Sequence, residues 1–345
     1  MQLAVDVMGG DHGCGVLIKG ALLALESNSS IRKIYLVGNE DEIRKNLARV
    51  GSLAGRLEIV HASEMLTMDE KPIEALRRKK DCSILKAVEL VKESKADALI
   101  SPGNTGGVMA ASTIKLRPLE GIERPAIATV IPTRYNRFVL LDSGANVECK
   151  PIYLLQFAIM GAIYSREVLG CKNPKIGLLS IGTEEVKGND LTLEAFRLLK
   201  ASKLNFHGNV EGHDLFKGKV DVVVCDGFVG NIVLKTCESL AMELFDWLKS
   251  ELTSNPLRKA GALLCYGAFR TIKKQVDPDQ QGAAPLLGLN GTVMITHGSA
   301  RERAIMNAIL ITCEAARHKI NDHIINEIAA VKNILSKPSI EFATR

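Results

Sequence analysis

"LLSIGTEEVKGND", residues 178–190, is an apolar run that breaks into Thr183, Glu184, Glu185, Lys187 and Asp190, with Gly182 and Gly188 among them. A short apolar run rich in branched side chains and ended by glycine has the pattern of a strand buried on both faces. Charges at the carboxyl end of such a strand need a reason. In open α/β sheets that edge is where ligands bind.

The pattern recurs along the chain. The runs 3–7 (LAVDV), 96–101 (ADALIS), 137–142 (RFVLLD), 175–181 (KIGLLSI), 220–226 (VDVVVCD) and 292–296 (TVMIT) are each continuous in hydrophobicity, with longer helical patterns between them. This alternation predicts an α/β fold with a mainly parallel sheet. After the runs come MGGDHG (8–13), PGNTGG (102–107), SGANVE (143–148), GTEEVKGND (182–190), GFVGN (227–231) and HGSAR (297–301). One glycine-rich turn after a strand is usually only a turn. Six of them at strand ends point to anion binding, because glycine lets backbone N–H groups turn inward and a helix starting behind adds unpaired donors and partial positive charge. Gly103, Asn104, Thr105 and Gly106 are the best local example, and residues 297–305 repeat the layout.

Composition narrows the classes. At 345 residues and 46% hydrophobic content the chain can bury a large core as one domain or two intimate lobes. No apolar run approaches the roughly 18 residues of a membrane span, and Met1 leads into QLAVDV without a basic leader, so a cytoplasmic protein is expected. The eight cysteines form no C-x-x-C pair and read as reduced thiols. A net charge of +5 is mild, and 4% aromatics are too sparse for base stacking, so no nucleic-acid partner is expected. There is no P-loop, G-x-G-x-x-G, H-E-x-x-H or G-x-S-x-G, so no cofactor, no metal and no serine nucleophile is signalled. Cys225 and Cys149 remain as candidate nucleophiles, against the alternative of inert buried thiols.

The ordered series VDVMGGDH (5–12), RRKKDCSI (77–84), SPGNTGGVMA (101–110), DSGANVECKPIYLLQFAIMG (142–161), IGTEEVKGND (181–190), GNVEGHDLFKGKVDVVVCDGFVGNIVLK (208–235) and GAAPLLGLNGTVMITHGSA (282–300) closely resembles the bacterial phosphate acyltransferase (PlsX) family. The resemblance runs over about residues 1–320. Departures are Cys14 and Gly15 where the family commonly has proline and an acid, Pro102 at a position often alanine, and Ala283 where a second glycine is usual. The resemblance implies acyl transfer from acyl-[acyl carrier protein] to inorganic phosphate, and a homodimer. It also implies a three-layer α/β/α fold like the isocitrate and isopropylmalate dehydrogenases and the phosphotransacetylases. On this reading residues 1–335 form a single catalytic domain, including an amphipathic hairpin over 236–275, and 336–345 form a C-terminal tail. A metal-dependent dehydrogenase on the same fold and a non-enzymatic lipid-synthesis scaffold are the rival readings.

Such a reaction asks mainly for placement and charge, since phosphate is a competent nucleophile near neutral pH and a thiolate leaves readily. Lys187, alone in a glycine-flanked loop, is the candidate cation, with an ion pair to Glu184 or Glu185 as its bland alternative. Asn231 and His297 are candidate catalytic donors, against a helix cap and a structural histidine. Gly9, Gly10, Asp11, His12, Gly103, Asn104, Thr105, Gly106, Asn146 and Gly230 make up the expected phosphate-binding set. Asp6, Asp11 and Asp142 would repel phosphate if bare and are read as orienters of donors or caps for helix N-termini, with direct catalytic work as the alternative.

Three further segments concern packing and partners. The helical pattern over 151–164 is apolar on almost every side, as a core helix or a subunit interface would be. In 236–275 Leu240, Leu244, Leu248 and Leu252 share a face up to a break at Asn255 and Pro256. Beyond the break Leu257, Leu263 and Leu264 mix with Arg258, Lys259, Arg270, Lys273 and Lys274. Such a hairpin either packs on the domain or rests on an anionic membrane, and the resemblance favours a peripheral enzyme serving a downstream membrane acyl-phosphate acyltransferase. The run RRKK at 77–80 is a candidate dock for the acidic carrier protein, or a solvated face.

Overall fold

The computed structural model describes residues 1–47, 55–276 and 282–335, so the tail 336–345 and the side chains of Lys273 and Lys274 lie outside the described set. Along the chain the strands are β1 (Gln2–Asp6), β2 (Lys33–Gly38), β3 (Leu57–His61), β4 (Ala98–Ser101), β5 (Ala126–Ile127), β6 (Thr129–Pro132), β7 (Arg137–Leu141), β8 (Ile176–Leu179), β9 (Phe206–Val210), β10 (Val222–Val224), β11 (Ala284–Leu287) and β12 (Thr292–Ile295). The helices are α1 (Cys14–Ser27), α2 (Glu40–Leu47), α3 (Pro72–Arg78), α4 (Ser83–Lys92), α5 (Thr105–Leu116), α6 (Pro151–Glu167), α7 (Asp190–Ala201), α8 (Gly227–Leu252), α9 (Pro256–Leu264), α10 (Tyr266–Val276), α11 (Glu302–Arg317) and α12 (Ile320–Leu335).

All six predicted strands are present, but they belong to two sheets rather than one. The first runs β3-β2-β1-β4-β12-β11-β5 and the second β6-β7-β10-β8-β9. Each is mainly parallel; β11 is antiparallel to both of its neighbours, and β6 to β7. The division arises at β5 and β6, strands of two and four residues that only Ala128 separates. Ala128 between them donates its N–H to the Pro285 carbonyl at 3.0 Å. The chain thus leaves one sheet's edge and starts the other's. The predicted strands form the centre of each sheet, β1-β4-β12 in one and β7-β10-β8 in the other.

One cluster of buried side chains draws on both sheets, with Leu3 and Val5 of β1, Leu141 of β7 and Val224 of β10 joined through α6. Every residue of α6 from Tyr153 to Ser165 is buried. Between its two alternatives this segment is therefore a core helix, and its all-round apolarity reflects neighbours on all sides. It approaches β10 so closely that a Cβ on Gly161 would stand 2.7 Å from Val222 Cγ1, which is why glycine occupies that turn.

The hairpin begins earlier than the sequence suggests. Helix α8 starts at Gly227, capped by Asp226, whose Oδ1 accepts from Val229 N–H at 2.9 Å, and continues unbroken to Leu252. The glycines at 227 and 230, which read as loop residues, lie in its first turn because that turn presses on a neighbouring loop. At 26 residues the helix is about 39 Å long, and its only buried residues are Gly227 and Gly230. Asn255 caps α9, with Pro256 first in the helix, as the break signal implied. Leu257, Leu263 and Leu264 are 84%, 75% and 89% exposed, so these tip side chains pack on little among the described residues. Among the described residues no helix is long and apolar enough to cross a membrane.

Candidate active site

In the first sheet β1, β4 and β12 end side by side, which brings the loops 7–13, 102–104 and 296–301 together. They meet backbone to backbone. A Cβ on Gly9 would lie 2.5 Å from Gly103 Cα, and Asp11 N–H donates to the Gly298 carbonyl at 2.9 Å. Beneath them Asp6 is buried, accepting from Ser101 Oγ at 2.8 Å and from Met8 N–H at 3.2 Å, while Ser101 Oγ accepts from Gly103 N–H at 3.1 Å. Burial pushes the Asp6 carboxyl up, and the hydrogen bonds from Ser101 and Met8 pull partly against it. Asp6 thus ties the β1 loop to the end of β4.

Asn104 caps α5, accepting from Gly107 N–H at 3.0 Å and donating to the Met68 carbonyl at 3.1 Å. Its amide is thereby engaged with protein at both ends. Thr105 and Gly106 open the helix behind it, Gly10 lies against Leu17, and His12 is exposed without a side-chain partner among the described residues. Helices α1 and α11, which follow the β1 and β12 loops, begin without side-chain caps. Their first-turn N–H groups are therefore the donors this edge leaves for a ligand.

The second sheet's edge is organised by Asp142. Fully buried, it accepts at Oδ1 from the N–H groups of Ile127 (3.0 Å), Gly144 (3.2 Å) and Ala145 (3.0 Å), and at Oδ2 from Asn146 N–H (2.7 Å) and Nδ2 (2.9 Å). Burial pushes its carboxyl up, opposed by the donors of Ala145, Asn146 and Ile127. Asn146 also donates to the Pro125 carbonyl at 2.8 Å, so its amide nitrogen is committed to the scaffold. The start of α8 presses on this loop: Gly227 N–H donates to the Asn146 carbonyl at 2.7 Å, and a Cβ on Gly230 would stand 1.8 Å from the Asp142 carbonyl oxygen. Gly230 is thus required by packing. Asn231 follows it on the exposed side, 3.6 Å from where a Gly144 Cβ would be, with no side-chain partner among the described residues.

Lys187 stands on the loop after β8. The loop is held by its backbone, with Lys187 N–H donating to the Glu184 carbonyl (3.1 Å), Ser180 Oγ to the Lys187 carbonyl (3.2 Å) and Asn209 Nδ2 to the Glu184 carbonyl (2.9 Å). Glu185 is taken by Lys200 at 2.7 Å. The Lys187 ammonium has no partner among the described residues, so the ion-pair alternative is not what holds it. Ile181 and Val186, on the same loop, are each 80% exposed.

Helix α8 joins the two edges. One turn beyond Asn231, Lys235 Nζ lies 3.1 Å from His297 Nε2 and 2.8 Å from Glu238 Oε2. The elements that carry Asn231 and His297, from different sheets, are thus linked through Lys235. Lys235 was missed from sequence: its i,i+4 relation to Asn231 is visible only if α8 begins at 227. Burial pushes the Cys149 thiol up to about 12 and Cys225 well above its usual value, which removes the thiolate either would need as a nucleophile. Among the described residues no group of three or more His, Cys, Asp or Glu is placed to hold a metal.

Comparison with known proteins adds three findings. The model of a family described as "Fatty acid synthesis protein" matches residues 1–323. The chain is 49% identical over 329 residues to a phosphate acyltransferase of Desulfitobacterium hafniense, covering 95% of this chain and 98% of that one. Its fold is like that of a phosphotransacetylase from Streptococcus pyogenes (TM-score 0.61, 20% identity, 92% and 94% of the two chains) and a 4-hydroxythreonine-4-phosphate dehydrogenase from Klebsiella pneumoniae (TM-score 0.53, 13% identity, 91% and 98%).

Proposed function

The chain belongs to the "Fatty acid synthesis protein" family of phosphate acyltransferases, and from that we propose that it transfers a fatty acyl group from acyl-[acyl carrier protein] to inorganic phosphate, giving acyl phosphate for phospholipid synthesis. The observation that carries this reading is how one edge pairs uncommitted polar groups with exposed apolar ones. Lys187 adjoins Val186, and Asn231 lies between Phe228 and Ile232; all three apolar side chains are at least half exposed. A phosphate asks for the former and an acyl thioester for the latter.

In the step itself a phosphate oxygen bonds to the thioester carbon, the carbonyl pair moves to oxygen, and its return expels the carrier protein's sulfur as thiolate. Lys187 offsets the charge of the attacking phosphate, while Asn231, His297 and the uncapped N–H groups donate to anionic oxygens. Residues 1–335 act as one catalytic unit in this account. The test is release of free thiol from an acylated carrier protein: it is expected only when phosphate is added, and a phosphate-independent signal would sink the reading. Nicotinamide oxidation would instead support the dehydrogenase rival.

The proposal extends to partners. The exposed face of α8, with Leu240, Leu244, Trp247 and Leu248, suits a second copy of the chain, and a homodimer formed there would cover it. In RRKK, Arg78 and Lys79 are paired with Glu70, which leaves Arg77 and Lys80 to meet an acidic carrier protein. The bare leucines at the α9 tip, beside Lys259, suit an anionic membrane surface from which product passes to a membrane acyl-phosphate acyltransferase. The enzyme would then be cytoplasmic and peripherally membrane-associated. Replacing Leu257 and Leu263 together by glutamate is expected to abolish flotation with anionic liposomes and leave thiol release in solution intact; equal flotation of both proteins would refute it.

A further inference from the structure

We infer that Lys235 fixes the tautomer of His297, so that His297 meets the substrate through its Nδ1–H as a hydrogen-bond donor rather than as a base. The inference rests on the acyl-transfer reading above and adds a positioning residue to it.

The contact between Lys235 Nζ and His297 Nε2 is 3.1 Å, a hydrogen-bond distance. A lysine ammonium has three N–H donors and no acceptor, so the imidazole nitrogen that faces it must supply the lone pair. Glu238, 2.8 Å from the same Nζ, receives a second N–H. With Nε2 accepting, the ring hydrogen belongs on Nδ1, since a histidine in a hydrogen-bonded pair takes the tautomer its partner dictates. Nδ1 has no partner among the described residues, and the residue is exposed on the loop that follows β12. The free atom is thus a donor. His297 is held from behind by Lys235, which α8 carries from the other sheet at a sequence distance of 62 residues.

This suits the chemistry. Phosphate brings its own nucleophilic pair, so nothing needs to remove a proton in the attack, whereas charge gathers on oxygen and a preorganised N–H directed at it stabilises the transition state. A histidine free to exchange tautomers would present the wrong atom part of the time.

The side-chain amide of asparagine places its nitrogen near the position of Nδ1, and that of glutamine near Nε2. His297→Asn is expected to keep phosphate-dependent thiol release within about tenfold of wild type, while His297→Gln and His297→Ala lose about a hundredfold or more. Lys235→Met is expected to cost about tenfold to a hundredfold in kcat in the wild-type background but under about twofold in the His297→Asn background, with Lys235→Arg recovering part of the loss. A ¹⁵N imidazole spectrum gives a readout that mere structural support would not move. The chain has seven histidines, and the His297 signals are those absent from His297→Asn. In wild type they should have the Nδ1-protonated pattern, and in Lys235→Met that of a tautomer mixture. Better activity in His297→Gln than in His297→Asn, equal Lys235→Met losses in both backgrounds, or an unchanged spectrum would each overturn the inference. A wild type without thiol release would sink the activity reading instead, and the spectrum would still judge the tautomer.

Discussion

Lys187→Ala is expected to unfold at the wild-type temperature and to lose about two to three orders of magnitude in kcat/KM for phosphate. The first half follows from what holds the loop: its contacts are made by the Lys187 backbone, by Ser180 and by Asn209, and none uses the ammonium. Exposed lysines without partners contribute little to stability. The second half follows from charge. Lys187 is the cation left unpaired on its loop among the described residues, and Glu185 is occupied by Lys200, so its removal leaves the attacking dianion facing Glu184 without offset. Initial rates over a phosphate series, together with a thermal melt, decide the matter. Normal kinetics would show that another cation holds the phosphate, and a lowered melt would show that the loop depends on the side chain.

Asp142→Asn should do the reverse, costing stability first and activity as a consequence. All five hydrogen bonds to this carboxylate come from donors, three at Oδ1 and two at Oδ2. An amide has one oxygen, so whichever way it turns, its NH₂ faces at least two N–H groups in a fully buried site. Unsatisfied buried groups cost about 1–3 kcal/mol each, and the expected loss is about 3 kcal/mol. Ile127 ends β5 of the first sheet, while Gly144, Ala145 and Asn146 form the loop against which α8 begins. The substitution therefore loosens the junction of the sheets and the position of Asn231 together. Denaturant unfolding of the two proteins measures it, and a loss below about 1 kcal/mol would remove Asp142 from its place as hub.

Much of this was legible along the chain. The six buried strands, the glycine-rich loops after them, the break at Asn255 and Pro256 and the isolated lysine at 187 are written in consecutive residues, where periodicity and turn chemistry act. Other features were hidden for particular reasons. Strand β5 is two residues long, below the length at which alternation becomes a signal, and only Ala128 separates it from β6, so the split into two sheets could not be read. The first turn of α8 looked like a loop because Gly227 and Gly230 serve close packing there, which sequence does not distinguish from turn formation. Lys235 lies in the turn after Gly230, where only a helix that begins at Gly227 places it one turn beyond Asn231.

Local sequence was thus sufficient for the class of the fold and for which loops carry the chemistry, because hydrophobic run length and glycine placement are short-range properties. Which loops meet was decided by tertiary structure alone. Asp6 touches Ser101 across 95 positions, Asp142 receives Ile127 across 15, and Lys235 reaches His297 across 62, and each contact exists only because strand order and one long helix bring those positions together. The same packing determined that α6 is a core helix and that Asn104 and Asn146 are committed to the scaffold while Lys187, Asn231 and His297 Nδ1 remain open to a ligand.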